Sequence, residues 1–402
     1  MHPNALKTIA DQITALTQGL DRELTLEDQL ANDPRLRSVT EELSATLPWS
    51  TRATRADARA LVLQLARGVA TGLNRADLEK EITAAETQLN ASPPRLLVTP
   101  VHGLLVIPPL RMGPVTFQYL DDPAITALVN AQFGVPSPDT PHLQQVLRND
   151  VLQTLRQLRN ATVSLYGASG TDARLRHDAI TATRTALHLL RGLTMLTHDF
   201  PQDVDLSASG DERIGEHISL MLEARGMSVS QRPLDHVEID ELRLEQVSPA
   251  SFEGLVLAQL PALLAQDRNS LNNWQRTLLR CFEWLGTAQT QQDPEGAFLN
   301  LAVVLEILFT DQNAVAETVA DAMAFLTAQT VETRLERRKQ VKALYNIRSS
   351  IMHGRTSSTV AWERVHELRF LLRDALVAIL PLAAHWTDRT ELTNYINRLK
   401  YA

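Results

Sequence analysis

LYNIRSSIMHGR, residues 344–355, places an arginine and a histidine near the end of an apolar helical pattern, with a glycine directly after. On a helix turning 100° per residue, with Leu344 at zero, Val341 falls at about 60°, Ile347 at about 300° and Ile351 at about 340°. These three form a core-facing stripe with Leu344. Arg348 falls at about 40°, inside that stripe or at its edge. His353 lies on the far side at about 180°, and Ser349 at about 140°. Gly354 is the expected helix stop, which leaves His353 in the last turn.

An arginine on an apolar stripe needs a partner, because a buried unpaired charge is costly. The upstream helix EGAFLNLAVVLEILF offers one carboxylate in its apolar half, Glu306. A Glu306–Arg348 pair satisfies both groups. Arg348 and His353 are five residues apart and do not stack as an i,i+4 pair does. Two copies of this helix, packed across a dimer axis, would bring both sets to one phosphate; a single copy does so poorly. From these residues alone the plainer reading is structural, with Arg348 pairing Glu306 and His353 capping a helix.

Outward from this stretch, the chain from Ser248 on reads as helices near 249–266, 269–288, 295–310, 313–329, 332–353, 360–380 and 388–400. Asp293 and Pro294 supply an N-cap and a first-turn proline for the third of these. Residues 1–92 carry apolar positions at three- and four-residue steps, and Asn74 with Asp77 can begin the helix ADLEKEITAAETQL. RLLVTPVHGLLVI and GPVTFQYL, between 95 and 120, read as short strands. GVPSPDTP (134–141) is a linker or long loop. Helices resume over HLQQVLRNDVLQTLRQL and ARLRHDAITATRTALHLLRGLTML, followed by a polar loop at 198–212, a helix at 213–225 and one or two strands within 232–247. The expected fold is mainly α, with a C-terminal helical bundle and a mostly helical N-terminal region holding a small β element. The expected divisions are 1–133, 134–247 and 248–402.

The 402 residues carry a net charge of −8, which disfavours a polyanion binder as a whole. Yet residues 331–402 hold 13 Lys/Arg against 7 Asp/Glu. That basic segment allows a local anion or nucleic-acid site, or a solvated helix face. The lone cysteine, Cys281, lies in an apolar stretch and reads as packed; one thiol with no internal partner fits a reducing cytoplasm. The N-terminus shows no basic start followed by an apolar run. The longest apolar run, FLNLAVVLEILF, has 12 residues, short of the roughly 20 that span a bilayer.

Other motifs read as background. GASG (167–170) lacks the Gly-Lys-Ser/Thr ending of a phosphate loop and follows no convincing strand. His177, His188 and His198 are spaced too widely for a compact metal pair, so no metal is expected. Ser207 and Ser209 have no recognisable nucleophile elbow.

LYNIRSSIMHG resembles the signature of HEPN domains, in particular the Apea-like subgroup. That pattern is a tyrosine, two residues, an Arg–Ser step, a short spacer and His–Gly, matched by Tyr345, Arg348, Ser349, His353 and Gly354. Upstream, LLRCFEWLGTAQTQQDPEGAFLNLAVVLEILF is similar to the subgroup's first two helices, with the Leu–Glu step at Leu305–Glu306. The likeness covers roughly residues 266–385. Many active members carry Asn, Asp or His after the arginine; this chain has Ser349, as is usual in the subgroup.

The resemblance implies a helical bundle that dimerises and cleaves RNA, tRNA among the candidates, without metal or cofactor. It implies Arg348 and His353 as catalytic residues, with Glu306, Tyr345, Ser349 and Gly354 in support and Lys342 and Arg355 as expected RNA contacts. It further implies phage defence by abortive infection, or a toxin system, with a phage-derived trigger or an antitoxin as partner. The alternative is a non-catalytic HEPN module that binds RNA or protein, such as a toxin–antitoxin component. The chemistry is reasonable, because RNA carries its own nucleophile in the 2′-OH. Histidine moves protons near neutral pH, and arginine grips phosphate oxygens with a fork of donors.

Overall fold

The computed structural model describes residues 1–18, 25–30, 32–137, 140–208, 217–223, 226–232, 240–310, 315–354 and 360–401. The chain is mainly helical with a small sheet. It divides into two compact units, 1–97 with 166–181, and 98–165 with 182–402. The first unit thus takes in a segment that sequence reading places in the middle region.

In the first unit, helices α1 (Pro3–Leu16), α2 (Leu26–Leu30), α3 (Pro34–Ala45), α4 (Trp49–Arg52), α5 (Arg55–Ala70) and α6 (Arg75–Ala91) surround one apolar core. Ile9, Ile13, Leu43, Val62, Leu78 and Ile82 are buried there. Local chemistry sets the boundaries. Thr54 and Asp57 form a reciprocal capping box at α5, and Asn74 and Asp77 form the expected one at α6.

After α6 the chain forms β1 (Arg95–His102), β2 (Leu104–Ile107), β3 (Leu110–Met112) and β4 (Val115–Tyr119), the strands expected between 95 and 120. Helices α7 (Asp122–Phe133) and α8 (His142–Arg156) follow, then β5 (Thr162–Ala168), α9 (Asp172–Thr197) and β6 (Ser207–Ala208). The main sheet runs in the order β3-β4-β5-β1-β6, with β3–β4 and β1–β6 antiparallel. Leu120, Ile125, Val129, Leu155 and Val163 bury one face of α7 and α8 against this part of the second unit.

Two expectations need correction. A strand, β5, does precede GASG. Its Thr162, Val163 and Ser164 are buried in succession and Leu165 is half-buried, so the strand lies inside the sheet without a clean alternation. The helix expected at 213–225 is instead an antiparallel hairpin of β7 (His217–Glu223) and β8 (Gly226–Arg232), registered His217↔Arg232 to Glu223↔Gly226. In HISLMLE, Ile218, Leu220 and Leu222 fall on alternate positions, and that period outweighs the helix propensity of Met, Leu and Glu. A further strand, β9 (Leu242–Glu245), pairs parallel to β2.

The rest of the second unit is helical: α10 (Phe252–Leu257), α11 (Leu260–Leu264), α12 (Asn273–Gln289), α13 (Pro294–Phe309), α14 (Val315–Thr327), α15 (Val331–Met352), α16 (Trp362–Ala383) and α17 (Thr390–Tyr401). Asp293 caps α13 by accepting from the Gly296 N–H at 2.6 Å, with Pro294 in the first turn. Being apolar almost all round, α13 lies centrally, packed on α12, α14, α15 and α16. Phe282, Phe298, Leu301, Leu305, Leu372 and Leu376 are sealed in this core. Helices α9 and α12 cross closely at glycines; a Cβ on Gly192 would stand 2.7 Å from the Phe282 carbonyl oxygen. Among the described residues no helix is long and apolar enough to cross a membrane.

Candidate functional site

Helix α15 starts at a capping box formed by Thr330 and Thr333. Its buried stripe is Val341, Leu344 and Tyr345, with Ile347, Arg348 and Ile351 half-buried beside it. The 100° periodicity places Val341 and Leu344 on this face; the buried face is turned toward Tyr345, and Ile347 and Ile351 are less buried than that stripe predicts. The helix ends where Gly354 enters the left-handed region at φ 62° and donates its N–H to the Ile351 carbonyl at 3.0 Å. His353 occupies the cap position at φ −96°, ψ 10°, with its N–H on the Ser349 carbonyl at 3.1 Å. Its side chain and that of Ser349 are exposed.

Arg348 reaches across to α13. Its Nη2 lies 3.0 Å from Glu306 Oε1, and Nη2 donates a hydrogen bond to Oε2 at 3.3 Å. The Oε1 approach lacks hydrogen-bond alignment, so that contact is ionic. The side chains are 32% and 22% exposed, which places the pair between a surface bridge and a buried one.

Tyr345 lies one turn before Arg348 and is 6% exposed. Burial pushes its phenol well above the usual range; the Glu306 carboxylate adds to this and Arg348 partly offsets it. The hydroxyl makes no hydrogen bond to any described residue.

Structure brings Glu306, Tyr345 and Arg348 together. His353 stands about one and a half turns further along the helix, on its solvent side. Lys342 is engaged by Glu317 of α14, Nζ to Oε1 at 2.5 Å, and Arg338 binds the other oxygen of Glu317 at 2.6 Å. Those cations hold the Glu317 carboxyl below its ordinary range, the Lys342 hydrogen bond first among them. Part of the basic C-terminal charge is therefore compensated by α14. Arg355 lies outside the described residues.

On the other flank of Glu306, an open cleft of about 670 Å³ runs between α12 and α13. Arg276, Arg280 and Arg389 line it with Glu306. Sequence reading did not single out these arginines. The four-residue spacing of Arg276 and Arg280 was the available signal; the contribution of Arg389, more than 100 positions later, needs the fold.

The remaining motifs are occupied structurally. In the GASG loop, the Arg95 guanidinium engages the Gly170 carbonyl and Asp172, while Thr171 N–H donates to the Arg52 carbonyl at 2.8 Å. His188 Nε2 meets the Glu283 carbonyl oxygen at 2.9 Å, and burial lowers its pKa, with Arg191 adding to the effect. His198 Nε2 lies 3.0 Å from Asp240. Ser207 is buried on β6, and Ser209 lies outside the described residues. Cys281 is fully buried, and burial pushes its thiol far up. Among the described residues no three His, Cys, Asp or Glu side chains gather as a metal cluster.

No family model, curated protein or solved structure matches this chain.

Proposed function

We propose that this protein is a HEPN-type endoribonuclease, homodimeric and independent of metal, acting in the cytoplasm in phage defence or a toxin system. The observation that supports it is a division of labour on one helix. The Arg348 guanidinium is steered by Glu306 through one nitrogen, while the His353 imidazole is exposed at the helix end. The other N–H groups of Arg348 make no hydrogen bond among the described residues and suit phosphate oxygens.

In this reading one His353 removes the proton from a ribose 2′-OH. The freed oxygen attacks the adjacent phosphorus, and the 5′-oxygen departs with a proton from the His353 of the second copy. Arg348 offsets the charge gathering on the phosphoryl oxygens. The products are a 2′,3′-cyclic phosphate and a 5′-hydroxyl. The test is cleavage of a mixed tRNA pool in EDTA. His353→Ala is expected to lose about 10²–10⁴-fold in rate while still folding and dimerising, and DNA is expected to stay intact. A His353→Ala protein that cuts as fast as the parent refutes the reading.

A second reading is a non-catalytic module that binds RNA or a partner protein. The compensation of Lys342 by Glu317 and of Arg348 by Glu306 favours it, since both cations are neutralised within one protomer. Absence of any cleavage by the parent, with RNA or protein still captured, selects it.

A further inference from the structure

We infer that the α12–α13 cleft is the track on which an RNA strand lies, with Arg276 and Arg280 gripping consecutive phosphates and Arg389 a third. The inference rests on the ribonuclease reading of α15 and supplies the substrate-binding surface that reading lacks.

Three features of the cleft point to a polyanionic strand. First, Arg276 and Arg280 are exposed, one helical turn apart on the same face of α12. Neither has an ion-pair or hydrogen-bond partner among the described residues, in contrast to Arg338, Lys342 and Arg348. Like charges at this spacing repel one another on a bare helix, and an anion between them removes the repulsion. Their separation of about 6 Å along the helix axis is close to that of successive phosphates on a strand.

Second, Arg389 adds charge at the far wall. Its Nη1 donates to the Ile307 carbonyl at 3.2 Å and to the Thr310 carbonyl, which fixes the guanidinium at the C-terminal end of α13. Among the described residues Glu306 is the one carboxylate lining the cleft, and it is already balanced by Arg348. The described lining is thus net positive on a chain whose net charge is −8. On an acidic chain a local cluster of cations focuses the approach of an anionic partner.

Third, the cleft is open and large enough for a strand, and the carboxylate that pairs with Arg348, Glu306, is one of its lining residues. A strand seated there passes Glu306, the carboxylate that holds the guanidinium assigned to the reacting phosphate. The arginines grip through flat forks that fit phosphate oxygens, and they impose no base sequence.

The experiment uses a fluorescent single-stranded 2′-O-methyl RNA, which cannot be cut through its 2′ position. Its binding is followed by anisotropy from about 50 to 200 mM salt, for the parent and for the Arg276→Gln/Arg280→Gln double variant. Both side chains are exposed, so the variant is expected to melt like the parent. The expected result is at least a ~10-fold loss of affinity. The slope of log affinity against log salt should become shallower by about 1.4, two phosphate contacts on a single strand. Parental affinity and slope in the double variant overturn the inference, as does a parent that binds no RNA. Cleavage by His353→Ala is scored separately. Binding lost in the double variant together with undiminished cleavage by His353→Ala keeps the cleft and removes the catalytic reading. Loss of cleavage in His353→Ala with binding intact in the double variant does the reverse.

Discussion

Arg348 Nη2 sits 3.0 Å from Glu306 Oε1, joining the last turn of α13 to the last turns of α15. The pair fixes where the guanidinium points before any ligand arrives. An arginine held this way loses less side-chain freedom on gripping a phosphate than a free one would. The same contact makes Glu306 a positioning residue, and the first prediction concerns it.

Glu306→Ala leaves a half-buried guanidinium without its carboxylate. Stability is expected to fall by about 1–2 kcal/mol, above a typical surface bridge and below a buried one. Urea denaturation checks this. In the ribonuclease reading cleavage also falls, while Glu306→Gln, which keeps the shape and an acceptor, recovers part of both. A Glu306→Ala protein as stable as the parent shows that the pair contributes nothing to the fold.

Tyr345→Phe removes a buried hydroxyl that makes no hydrogen bond among the described residues. Deleting a satisfied buried hydroxyl typically costs about 1 kcal/mol, whereas deleting an unsatisfied one relieves a desolvation penalty. The variant is therefore expected to match or exceed the parent in thermal stability. A clear drop in melting temperature means the hydroxyl has a partner.

The same tyrosine gives an alkaline signature. Its phenol is raised in the fold by burial and by Glu306, so the unfolded chain ionises first. The stabilising contribution is complete below the unfolded value of about 10 and declines as pH rises beyond it. Tyr345→Phe should flatten the fall in stability above that pH; identical alkaline profiles for parent and variant contradict the assignment.

At the acid end, Glu317 is held below its ordinary range by Lys342 and Arg338. Its contribution is present above the unfolded value of about 4.3 and is lost as pH falls through the lower folded value. Glu317→Gln is expected to weaken the acid dependence of α14–α15 stability, read by amide exchange across residues 315–352. An unaltered exchange profile at pH 3 to 5 rules this out.

Gly354 has φ 62°, and no atom of a described residue crowds the place a Cβ would take. The cost of Gly354→Ala is then conformational alone, about 1–2 kcal/mol. It should fray the last turn of α15 and displace His353. Chemical denaturation measures the cost, and an unchanged midpoint shows that the backbone accommodates alanine elsewhere in the turn.

Much of the C-terminal architecture was legible because local signals and burial agree there. Asp293 and Pro294 mark the start of α13, Gly354 marks the end of α15, and the 100° period sets Arg348 at the edge of the core-facing stripe, where it meets Glu306. The misreadings have separate physical causes. β5 is seven residues between two helices, and its strand character is completed by pairing with distant neighbours in the sheet. The hairpin at 217–232 uses residues with good helix propensity, and its alternation is visible only once that propensity is set aside. The cleft arginines were hidden for a third reason. Arg389 reaches α13 only because α17 and the turn before it fold back along the bundle.

Cys281 and Arg280 are adjacent in sequence, yet one is sealed and the other is in solvent. The molecule therefore carries a built-in gauge. As the chain's single thiol, Cys281 meets a thiol reagent only when α12 lifts from its neighbours, so the labelling rate counts those openings one molecule at a time. Because that helix also presents the cleft arginines, anything that clasps its outer side should slow the clock ticking on its inner side.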